Sequence, residues 1–72
     1  MDEYKYIVRY LHDERLHMKI SQGDLSHKIG IAESTLSKWE CGYRKPSVHN
    51  LIAWCESLEC RILVEKYPYH DS

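Results

Sequence analysis

The sequence predicts an all-α domain: a compact set of four helices followed by a short C-terminal β-strand. Apolar residues recur at helical spacing in four stretches, serine and glycine punctuate the gaps between them, and the β-branched Ile62 and Val64 stand among charged neighbours near the C-terminal end.

The first stretch runs from Tyr4 to about Met18, where Tyr4, Ile7, Val8, Leu11 and Met18 lay one apolar stripe along a helix. Ser21 then offers an N-cap oxygen, with Asp24 three places later in the capping-box position. Leu25 and Ile29 point inward, and Gly30 ends this second helix after two turns. A third helix spans Glu33 to Cys41, with Leu36 and Trp39 inside, Ser34, Thr35, Ser37 and Lys38 outside, and Gly42 as the left-handed residue beyond its end. Pro46 disfavours helix at Lys45, so Tyr43 to Pro46 reads as a loop and Ser47 caps the next helix. That fourth helix, Val48 to Leu58, carries a wide apolar face of Leu51, Ile52, Trp54, Cys55 and Leu58.

Residues 1–58 form the helical domain and residues 59–72 a tail. Within the tail, 60–67 favours strand over a fifth helix, and Pro68 stops it. A lone strand in a helical chain exposes unpaired N–H and C=O groups, and the simplest partner is the same strand of a second subunit. Ile62, Leu63, Val64 and Tyr67 are therefore the expected dimerisation residues.

Composition narrows the function. Seventy-two residues make one small domain, and a chain this short buries only about 60% of its unfolded surface, so help from a partner subunit is expected. Hydrophobic residues at 43% and charged ones at 29% exclude a disordered or collagenous chain. The net charge of −1 means that any basic surface must be local, while protonating all five His would carry it to +4. Ile62-Leu63-Val64, like the five apolar residues Leu51 to Cys55, is too short for a membrane span or a signal core, and three Cys fit a reducing, cytoplasmic setting. Cys41, Cys55, Cys60 and His49 lack the paired spacing of a zinc site, so neither metal nor cofactor is expected. No carboxylate pair gathers with a nucleophile, so the chain does not read as an enzyme.

Two short helices joined by a brief turn, the second exposing small polar groups, suit insertion into a DNA major groove. The stretch Ser21-Gln22, Leu25-Ser26, Ile29-Gly30-Ile31, Ser34 to Gly42 and Arg44-Lys45-Pro46-Ser47, with Leu11 and Arg15 upstream, resembles the lambda-repressor-like, Cro-type helix-turn-helix family of bacterial and phage regulators. The resemblance covers residues of roughly 7 to 58. It implies double-stranded DNA as partner, with base contacts from Glu33, Ser34 and Lys38 and phosphate contacts from Ser21, Gln22, Thr35, Ser37, Arg44 and Lys45. Lys38 can donate to guanine, whereas Glu33 can only accept, as from cytosine N4. The resemblance also implies an ion pair between Arg15 and Glu40.

Three positions depart from the family pattern: Lys19 replaces a common glycine, Ser26 a usual alanine, and Ala32 a Ser or Thr N-cap. The expected function is a homodimeric, sequence-specific transcription regulator, a repressor of a phage, mobile-element or own operon. An antitoxin with a protein toxin as second partner, or an interaction module that has lost DNA binding, are the alternatives.

Overall fold

The computed structural model of the chain describes residues 3–64. Its elements are α1 (Glu3–His17), α2 (Gln22–Ile29), α3 (Glu33–Cys41) and α4 (Val48–Ser57). Helices α2 and α4 start at serine caps. Ser21 Oγ accepts from the Asp24 N–H at 3.0 Å, and Ser47 Oγ accepts from the Asn50 N–H at 3.1 Å. Each satisfies one of the donors that a helix start leaves open, a contribution of about 1 kcal/mol. Helix α3 starts at Ala32, whose methyl group makes no such bond.

The four helices close in one way. At each C-terminal end one N–H reaches back five residues: Ile20 to Arg15 O at 3.1 Å, Ile31 to Ser26 O at 3.0 Å, Tyr43 to Lys38 O at 2.9 Å and Cys60 to Cys55 O at 2.9 Å. This closure requires a left-handed residue just before the donor. Gly30 (φ 91°) and Gly42 (φ 87°) meet that need without a Cβ, whereas Lys19 (φ 60°) and Glu59 (φ 61°) meet it with one. The left turn at Glu59 sets the end of α4 at Ser57, one residue short of the sequence expectation.

Helix α2 packs on α3 and α4, and α1 packs on α3. Between them lies a core of Val8 and Leu11 from α1, Leu25 from α2, Leu36 and Trp39 from α3, and Trp54, Cys55 and Leu58 from α4 and its end. The two indoles meet at a centroid distance of 5.5 Å, tilted by 33°. Ser26, 4% exposed, resolves its polarity locally by donating from Oγ to Gly23 O at 2.9 Å. The apolar face of α4 is wider than the core it covers, since Val48 and Ile52 remain exposed.

The strand expected over 60–67 is absent from its described part. Residues 60–64 continue from α4 without regular structure, because no other segment among the described residues is extended beside them to complete a ladder. Leu63 and Val64 are exposed there. Tyr67 and the rest of the expected strand lie outside the described residues.

Candidate nucleic-acid interface

The pair α2–α3 is joined by a turn at 30–32 and is fixed from behind by a buried polar network. Arg15, 8% exposed, extends from α1 and grips Glu40 near the end of α3 with a two-pronged bond: Nε donates to Oε2 at 2.8 Å, and Nη2 donates to Oε1 at 3.1 Å. Its Nη1 donates to Ile20 O at 2.9 Å and so holds the turn between α1 and α2. Gln22, the first residue of α2, donates from Nε2 to Glu40 Oε1 at 2.9 Å. One carboxylate thus ties three helices together. His12 Nε2 stands 3.9 Å from the same oxygen, while its Nδ1 lies 3.4 Å from Asp13 Oδ1.

The network gives Gln22 a second task. The family resemblance assigns its amide to a DNA phosphate, yet one of its two N–H bonds already serves Glu40. The other N–H has no partner among the described residues. The sequence could not show this link, because Gln22 and Glu40 are eighteen residues apart and meet only once α2 and α3 have docked.

Helix α3 carries the outward groups on a well-anchored base. Leu36 (0% exposed) and Trp39 (2%) are sunk in the core, which leaves Glu33, Ser34 and Lys38 exposed and Thr35 and Ser37 half-buried at the flanks. Ser34 and Lys38, one turn apart, share a face. Glu33 leans away from it: a methyl group added at Gly23 would lie 3.3 Å from Glu33 Oε1, so the carboxylate sits over the first turn of α2. A negative group is favourable beside that positive helix end.

Beyond α3, Arg44 and Lys45 occupy the exposed loop before Pro46. Lys45 Nζ lies 5.2 Å from the centre of the Tyr4 ring, which brings the loop against the first turn of α1. Next to it, a groove of about 300 Å³ runs between α1 and the end of α3, flanked by Lys5, Arg9 and His12 on one side and by Cys41 and Gly42 on the other. Sequence reading passed over Lys5 and Arg9, whose only signal was their spacing of one helical turn.

Among the described residues no group of three or more His, Cys, Asp or Glu side chains could hold a metal ion, and no helix is long and apolar enough to cross a membrane. Burial pushes the thiols of Cys55 and Cys60 up; proximity to Cys60 reinforces the effect at Cys55, and Glu14 and Glu59 reinforce it at Cys60.

A short helix with two residues locked in the core and polar tips outward, set one tight turn after another short helix, defines a helix-turn-helix domain of the DNA-binding kind. The chain belongs to the lambda-repressor-like, Cro-type branch of that class: a family model described as helix-turn-helix matches residues 11–64. No curated protein and no solved structure matches it.

Proposed function

We propose that the protein is a sequence-specific transcription regulator that binds double-stranded DNA as a homodimer and represses a phage, mobile-element or own operon in the cytoplasm. The observation that carries this reading is the outward placement of Ser34 and Lys38 on a helix whose opposite side, Leu36 and Trp39, is buried. In each subunit α3 enters a major groove, and the two half-sites of a pseudo-palindrome lie about 34 Å apart. Lys38 reads a guanine edge, a contact that discriminates by about 1–3 kcal/mol. Ser34 is tolerant. Glu33 reads a cytosine amino group once it swings from its seat over α2.

Ser21, Gln22, Thr35, Ser37, Arg44 and Lys45 meet backbone oxygens and set the register without reading sequence. Dimerisation is through the tail, where Ile62, Leu63, Val64 and Tyr67 of two subunits pair as strands around a two-fold axis. A partner strand would supply the ladder that residues 60–64 lack among the described residues.

The seat of Glu33 over the start of α2 favours a second reading, an interaction module without DNA binding, since a carboxylate there opposes a phosphate. Titration of a selected duplex with salt separates the two. Three or four phosphates held by each subunit give log affinity against log salt a slope near −6 for the dimer. A slope near zero, or no duplex retained in the selection, favours the interaction module.

A further inference from the structure

We propose that the phosphate-contacting surface continues past the α3–α4 loop onto α1, where Lys5 and Arg9 hold the DNA backbone. This rests on the DNA-binding reading above. Both side chains are exposed, and neither has a hydrogen bond or an ion pair among the described residues. They flank the groove whose far wall is Cys41 and Gly42, the residues that end α3.

The acids nearby do not neutralise them. Glu40 borders the groove, but its side chain is 4% exposed and already accepts from Arg15 and Gln22. Asp13 faces His12, and the exposed Glu3 makes no ion pair among the described residues. Unpaired cations gathered at one edge of a chain with net charge −1 call for an anionic partner.

The layout selects a polymer over a small anion. Lys5 and Arg9 stand one helical turn apart, about 5–6 Å at Cβ, on long side chains that can meet successive phosphates of one strand. Lys45, seated on the Tyr4 ring, joins α1 to the loop that carries Arg44. The exposed loop of Arg44 and Lys45 thus meets the first turn of α1, the helix whose Lys5 and Arg9 border the groove beside the end of α3. DNA lying against α3 has its backbone at this edge.

The test uses the full chain with Lys5→Ala, Arg9→Ala and both together, and measures anisotropy binding to a duplex recovered by selection and to a random-sequence duplex over a range of salt. A thermal melt of each variant controls for folding. Each lost phosphate contact lowers affinity about fivefold near physiological salt, since log affinity changes by about 0.9 per decade of salt for each phosphate. The double variant therefore binds both duplexes more weakly by the same factor, and its salt slope is shallower by about 1 for each residue removed in each subunit. Unchanged affinity and slope in the double variant overturn the proposal, as does a loss confined to the selected duplex. If the unsubstituted protein binds neither duplex, it is the DNA-binding reading itself that falls.

Discussion

At the scale of single residues, Glu40 is the polar group on which the fold most depends. Its carboxylate is buried and held by Arg15 and Gln22, so Arg15→Leu strands a charge inside the molecule, at a cost of about 3–5 kcal/mol. The double variant Arg15→Leu with Glu40→Leu removes both charges and is predicted to be more stable in urea than either single variant. Losses that simply add would show the two side chains to be independent. The three thiols give a second residue-scale prediction. Cys41 is exposed, whereas Cys55 is 3% exposed with its thiol pushed up by burial and by Cys60. A thiol reagent added to the native protein therefore labels Cys41 first and Cys55 last, as peptide mapping at intervals would reveal. Early labelling of Cys55 would contradict the packing of α4.

At the scale of elements, caps and closures decide where local stability can be gained. Lys19 and Glu59 take the left-handed conformation at some cost, so Lys19→Gly is predicted to stabilise the fold by about 0.5–1 kcal/mol after the greater unfolded freedom of glycine is deducted. Ala32→Ser supplies the missing cap of α3 and adds about 1 kcal/mol, a rise of roughly 4–8 °C in Tm for a domain of this size. A fall in Tm for Ala32→Ser would mean that α3 does not begin where the structure places it.

These elements were legible because their signals are local. Apolar spacing, Ser21, Ser47, Gly30 and Gly42 mark the helices within one or two residues, and the uncapped Ala32 is visible in the sequence itself. Lys19 stands where the family commonly has a glycine, and its positive φ shows that the turn keeps the glycine-like conformation. Strand formation was not legible in the same way, because the propensity of Ile62 and Val64 makes a strand only where a second extended segment lies beside them, and none does among the described residues. The resemblance to known regulators pointed to Arg15 and Glu40, but the Gln22 link, the lean of Glu33 over Gly23 and the Lys45–Tyr4 contact arise only from docking. The exposure of Val48 and Ile52 likewise depends on which side of α4 the other helices leave bare.

At the scale of the whole molecule, the small core makes association important. Cys60 closes α4 and packs against the core, so the tail can be cut only beyond it. Deleting residues 61–72 is predicted to leave a folded domain that dissociates into monomers at concentrations where the full chain is dimeric, as seen by sedimentation equilibrium. An unchanged dimer would move the interface to the exposed Val48–Ile52 side of α4. Because the chain has a net charge of −1, no general positive field draws it to DNA, and the proposed interface rests on the local grouping of Lys38, Arg44, Lys45 and the α1 cations.

That α3 reads base edges is tested most directly by selecting binding sites from random duplex DNA with the unsubstituted protein and with Lys38→Ala. The expected outcome is one consensus with two symmetric halves, in which the substitution relaxes preference at a single position of each half and leaves the others as they were. Identical consensus sequences from the two proteins would contradict the assignment of Lys38, and the recovery of no consensus from either would remove α3 from the role of reader.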